Sequence, residues 1–252
     1  MYPAHFGESC EAEDAHVLLR SWRSQRPGRV LPNRPGYVQR VGVDDLSDRL
    51  GRRVERVAFL VCPGDFVSVE MPIMETWPAE VAEECGEELL DVVVIGSERD
   101  LSQDVDFGLR QLADTAMKGL SPGINDPMTA VTCIGYLRSI LVRLVERAEP
   151  PAVRRLPDHD VTVIVRRRGF DEHLEVIRQV GRYVEADAWV AGELLRALAA
   201  CADAARRSGA HERARSVQEL AGSIAEQSAR LAGNDRDRAR IEALGAEVAR
   251  DA

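Results

Sequence analysis

Lysine is almost missing from this sequence. Of 33 Lys plus Arg residues in a chain of 252, Lys118 is the single lysine. Any chemistry that needs a side-chain amine therefore falls on one residue. Cysteine is scarce as well. Cys10, Cys62, Cys85, Cys133 and Cys201 form an odd-numbered, widely spaced set without a CxxC pair, which indicates neither a disulfide scaffold nor a zinc ribbon. Cys62, Cys133 and Cys201 sit among apolar neighbours and read as small buried hydrophobes. Basic residues are outnumbered by 42 Asp plus Glu, leaving a formal charge of -9. That balance excludes a general nucleic-acid binder, which needs a net basic field.

Long apolar runs are missing too. Residues 89–96 and 161–165 are far too short to span a bilayer, and residues 1–20 carry four acids but no basic n-region or hydrophobic stretch. The expectation is a soluble, cytoplasmic chain. The dinucleotide, P-loop and nucleophile-elbow fingerprints do not occur. His159 in Asp158-His159-Asp160 and His173 after Asp171-Glu172 lack metal-ligand spacing, so no metal and no cofactor are expected. His5, His16 and His211 read as surface residues.

What is present is enough apolar residue, 45%, and enough charge, 30%, for a globular fold with a core. Residues 12–25 form a candidate short helix, ended by repeated Pro and Gly up to Gly36. Tyr37 to Val41, Val54 to Val61, Phe66 to Val69 and Ile73 to Trp77 read as short strands, with a helix at residues 44–53 and a Pro63-Gly64-Asp65 turn. Helices follow at residues 79–91, 104–120 and 127–145. After a proline-marked linker at 150–157 comes one strand, Val161 to Val165, and then helices at 170–185, 187–208, 212–231 and 235–250. Arg166-Arg167-Arg168 reads as a solvated turn. The fold class is α+β and predominantly helical. A small β-rich, barrel-sandwich-like N-terminal module is followed by a multi-helix domain. The segments are an arm at 1–30, the β-rich module at 31–78 and the helical domain at 79–252 with its strand at 161–165.

Two segments carry a family resemblance. They are Tyr37-Val38-Gln39 with Pro63-Gly64-Asp65-Phe66-Val67, and the run from Gly96 to Ala130 that includes Leu120-Ser121-Pro122-Gly123-Ile124-Asn125-Asp126-Pro127. Together they resemble the soluble portion of the bacterial domain-of-unknown-function 2254 family of predicted membrane proteins. The resemblance implies a membrane anchor of several helices ahead of the soluble part, which residues 1–30 do not supply, and it brings no established catalytic residue. The β segment also resembles lipoyl and biotinyl carrier modules. Those need a lysine on an exposed hairpin, and residues 69–75 contain none.

The chemistry-bearing stretch is the helix–loop–helix at 104–129. Arg110, Asp114 and Lys118 stand at i, i+4 and i+8 on one helical face, flanked by Gln111 and Thr115. The loop adds Ser121, Asn125, Asp126 and Thr129 at a helix start, where free N–H groups favour an anion. Desolvated beside Arg110, Lys118 would serve as a base or Schiff-base amine, with Asp114 or Asp126 assisting. Arg110, Gln111, Ser121, Asn125 and Thr129 would then hold a small anionic ligand. The plain alternative is an ion-pair ladder on one helix and a loop chosen for capping.

Two functions follow. One is a ligand-binding or assembly module that homo-oligomerises through its helical layer and meets a small anion or a membrane-protein partner. The other is an enzyme acting on a small anionic or carbonyl metabolite through Lys118, Arg110 and Asp114. Borohydride trapping with a panel of carbonyl metabolites separates them: the enzyme predicts an adduct on Lys118, read by peptide mass. The module predicts no adduct there, and a Lys118→Met protein that folds and associates as wild type.

Overall fold

The structure is a computed structural model that describes residues 14–46, 53–156, 161–184 and 187–249. The chain forms two compact units, each assembled from separated segments. The first joins the described residues up to Phe107 with Glu149–Arg168, and the second joins Gly108–Ala148 with the described residues from Gly169 onward.

The first unit holds every described strand. Helix α1 (Ala15–Trp22) precedes β1 (Gly28–Val30), β2 (Gly36–Val41), β3 (Arg56–Phe59), β4 (Phe66–Val67) and β5 (Met74–Trp77). The short helices α2 (Glu80–Glu84) and α3 (Gly86–Leu90) lead to β6 (Val93–Gly96). Strands β7 (Val153–Leu156) and β8 (Val161–Val165) arrive much later in sequence. Five strands make a sheet in the order β1-β5-β3-β8-β7, and three make a second in the order β4-β2-β6. All pairings are antiparallel except β3 with β8, where Val57 lies opposite Val163 and Phe59 opposite Val165.

Strand alternation explains why β8 is apolar throughout. Val161, Val163 and Val165 join Val57, Phe59 and Met74 in the larger core. Ile164, between them in sequence, joins Ala58, Trp22 and Trp77 on the opposite face. A strand buried on both faces shows a continuous hydrophobic run rather than a polar alternation. Trp22 of α1 meets Trp77 edge to face, with ring centroids 5.4 Å apart. Glu75, buried beside them, is neutralised by Arg23 at 2.7 Å, as a buried carboxylate must be.

The second unit is helical. It contains α4 (Val105–Gly119, counted here from Gly108), α5 (Pro127–Val145), α6 (Phe170–Val184), α7 (Ala188–Arg207), α8 (His211–Leu231) and α9 (Asp235–Ala249). Helix α7 is the common partner, packing against α5, α6, α8 and α9. Its buried residues are mostly small, among them Ala191, Gly192, Ala197, Cys201 and Ala205, which lets neighbours approach closely on several sides. Helices α6 and α8 also approach closely: a Cβ on Gly181 would stand 2.9 Å from Ile224. Asp126 and Asp187 cap α5 and α7, each accepting from backbone N–H groups of the first turn.

The α+β class and the order of strands before helices are as the sequence indicates. The compact units, however, cut across the segments 31–78 and 79–252. The strand read at 161–165 is part of the first unit, because it pairs with β3 rather than sitting among helices. Strands β1, β6 and β7 were not legible. Each has only three or four residues, and each is strand because of its partner rather than its own pattern. The expected helix at 44–53 falls partly outside the described residues.

Ile177, fully buried in α6, is a direct check on the helical core. Ile177→Ala is expected to lower unfolding free energy by about 2–5 kcal/mol, measured by denaturant titration.

Candidate functional site

The end of α4, the loop after it and the start of α5 carry the residues the sequence singles out. Gly119 and Asp126 are joined by a backbone bond, Asp126 N–H to Gly119 C=O at 2.7 Å. The loop between them is closed by the N–H groups of Ile124 and Asn125, both donating to Ser121 C=O. Asn125 has φ +50°, a left-handed conformation that asparagine tolerates better than most residues.

Each candidate has a local partner or an open position. Arg110 donates to Gln179 of α6 at 3.2 Å. Gln111 is exposed, and its C=O accepts from Thr115. The Ser121 hydroxyl donates to Lys118 C=O at 2.7 Å. Asp126 accepts from the backbone N–H of Thr129 at 3.1 Å and from its hydroxyl at 2.5 Å. These two bonds hold its carboxyl below the ordinary carboxylate range. Asp114 and Lys118 are exposed and, among the described residues, neither makes an ion pair. The expected ladder of Arg110, Asp114 and Lys118 is therefore not formed, since Arg110 is engaged across to α6.

A second cluster, in the first unit, was missed. It is built on the Pro63-Gly64-Asp65 turn. Asp65 accepts from the Cys62 N–H at 3.0 Å, from Arg168 at 2.7 Å and from Arg166. Arg168 also donates to Pro63 C=O at 2.9 Å and lies 3.7 Å from Asp104. Asp104, whose side chain is 1% exposed, caps the start of α4 through the Phe107 N–H and pairs with Arg99 at 2.7 Å. Arg99 reaches Asp106 at 3.5 Å and stacks over the Phe107 ring. Three carboxylates meet three guanidiniums, so the burial is compensated. Gly64 is required here. Its φ is +90°, and a Cβ would collide with Asp104, Arg99 and Arg168.

The reading of Arg166-Arg167-Arg168 as a solvated turn is corrected for Arg168, whose side chain is only 20% exposed. Acid-rich neighbours in sequence hid the fact that its partners lie about a hundred residues earlier. Cys62 is a buried free thiol. Burial, then the Asp65 carboxylate, pushes its thiol up to about 12.

Elsewhere in the first unit, a depression of about 510 Å³ is lined by Asn33, Arg34, Leu90, Asp91, Val93, Val94 and Ile95, none of them a sequence candidate. Among the described residues no group of three His, Cys, Asp or Glu side chains is placed to hold a metal. His173 is buried in α6, His16 and His211 are exposed, and His5 and His159 lie outside the described residues.

One described helix, Pro127–Val145, is long and apolar enough to cross a membrane, with a mean hydropathy of 1.5, and a third of it is buried. Its inward stripe is Ala130, Cys133, Ile134, Leu137, Leu141 and Val145. The outward side carries Met128 and Tyr136, 60% and 62% exposed, with Thr132, Gly135 and Ser139 also exposed.

The family described as "Predicted membrane protein (DUF2254)" matches residues 7–200. The chain is similar to the uncharacterized protein Mb1321c of Mycobacterium bovis and to the uncharacterized protein Rv1290c of Mycobacterium tuberculosis. Each is 32% identical over 188 residues, covering 71% of this chain and 36% of the relative. The chain thus spans little more than a third of the length of the relatives it matches. No solved structure matches it.

The Asp126 cap has a pH signature. A depressed carboxyl stabilises the fold above the ordinary carboxylate range and loses that contribution as pH falls through its folded value. Thermal midpoints of wild type between pH 7 and pH 2 are expected to fall more steeply in acid than those of Asp126→Asn.

Proposed function

We propose, for a chain that belongs to the DUF2254 family of predicted membrane proteins, that its helical unit is an assembly module. The observation that carries this reading is the outer face of α5. A helix of 19 residues with a mean hydropathy of 1.5 is apolar on more sides than its own unit covers. Such helices are normally buried all round. Here the inward stripe packs on α7, and Met128 and Tyr136 stand in solvent on the other side. Between them Thr132, Gly135 and Ser139 are also exposed, so the side from Met128 to Ser139 presents two large apolar side chains among small ones, a surface suited to close association.

The surroundings of the candidate chemical residues support the same choice. Lys118 stands on an exposed face without the desolvation that an amine catalyst requires. Asp126 serves the α5 cap, and Arg110 serves the contact with α6.

The test is the oligomeric state. Wild type is expected to associate with concentration in sedimentation equilibrium. Tyr136→Arg places a charge at the centre of the face and is expected to weaken association at least about tenfold, the scale of a central interface residue. Far-UV circular dichroism should be unchanged, since the position is exposed. An association that Tyr136→Arg leaves intact would sink the reading.

A further inference from the structure

The outer face of α5 also says which partner fits it. Resting on the assembly reading, the geometry points to a second copy of this chain, paired antiparallel along α5 about a two-fold axis at Gly135 and Tyr136.

Consider first the shape of the strip. In an antiparallel pair centred between residues 135 and 136, residue i faces residue 271 − i. Thr132 then faces Ser139, so two small side chains meet. Gly135 faces Tyr136, so a large ring meets an open backbone, and the two-fold repeats that contact. Among the described residues nothing crowds Gly135. A Cβ there would meet nothing within 4 Å, yet glycine in a helix interior costs about 1 kcal/mol relative to alanine. An exposed tyrosine ring beside an uncrowded glycine is self-complementary in the sense that an isologous interface demands.

Charge then selects the direction. The N-terminal end of the strip carries Asp126, with Lys118 one residue before Gly119, which abuts the first turn of α5, and its far end carries Arg143 and Glu146. Among the described residues Lys118, Arg143 and Glu146 make no ion pair. The Asp126 carboxylate bonds to Thr129 within its cap. Antiparallel pairing sets Arg143 opposite Met128, two residues from Asp126, and sets Glu146 opposite Asn125 in the loop that begins beside Lys118. Each end therefore meets opposite charges, twice per dimer. Parallel pairing would instead bring Arg143 beside its own copy and Lys118 beside its own copy. The helix dipoles favour the antiparallel choice as well.

The experiment is a charge exchange combined with cross-linking, on the full chain in a Cys10→Ser background. Lys118→Glu and Glu146→Lys are each expected to weaken self-association by about 3- to 10-fold, since each removes two exposed pairs per dimer. The double variant is expected to return to within about twofold of wild type, because the pair is re-formed with its signs exchanged. A short bismaleimide should link Gly135→Cys to its own copy. It should link Met128→Cys to Arg143→Cys only when the two proteins are mixed, because in this arrangement two copies of residue 128 lie about 23 Å apart at 1.5 Å per residue. Failure of the double variant to recover, or self-linking at Met128→Cys, overturns the antiparallel pair while leaving the assembly reading intact. A wild-type chain that stays monomeric up to about 0.1 mM, beyond the weak end of transient association, overturns both.

Discussion

The parallel pairing of β3 with β8 is the constraint on which the rest of this fold depends. Parallel neighbours cannot be joined by a tight turn and need a crossover. Here about a hundred residues separate the partners, Val57 and Val163, and the α4 and α5 segment of the helical unit, Gly108–Ala148, lies in that interval. The chain leaves the first unit after Phe107, returns at Glu149 with β7 and β8, and leaves again after Arg168. Without β8, Val57 and Phe59 would lose the valines that complete their core, and Ala58 would lose Ile164 on the other face.

The buried ion cluster follows from that path. Asp104 stands just before the first departure and Arg168 at the second. Asp65, in the turn after β3, is bonded to Arg168, which lies 3.7 Å from Asp104. Polar groups this deep cost free energy unless every charge has a partner, and the geometry provides three of each sign. The cluster therefore belongs to the same topological problem as the sheet. It fixes the two outgoing strands of chain against the turn, with Gly64 giving the room. A thiol held protonated by burial beside Asp65 suits a structural role.

The helical unit answers a different demand. Helix α7 is lined with small residues and packs on four neighbours, while α5 reaches it with one stripe and leaves the other side uncovered. On the assembly reading proposed above, that uncovered side, with Met128 and Tyr136 exposed, is the face a partner would meet. The lone lysine then belongs to the electrostatics of that face. It sits on an exposed side of α4 just before the loop.

Much was determined by the sequence alone. Helical periodicity placed α4 to α9 within a few residues, because a 3.6-residue stripe is a local property of the chain. Asp126-Pro127 marked the start of α5 for the same local reason, a capping carboxylate followed by a residue with no N–H to satisfy. The Ser-Pro-Gly-Ile-Asn-Asp-Pro run was specific enough to indicate the family. Other features were decided only by tertiary structure. Strand β7, Val-Arg-Arg-Leu, has no strand pattern of its own and exists through β8. Arg110 had an acidic residue one turn away, but its bond went to Gln179, which the packing of α6 brought closer. Arg168 read as solvated, yet it is held by Asp65. Local patterns report what one segment prefers. Whether a charge is buried, or a strand has a neighbour, depends on contacts whose partners lie sixty to a hundred residues away.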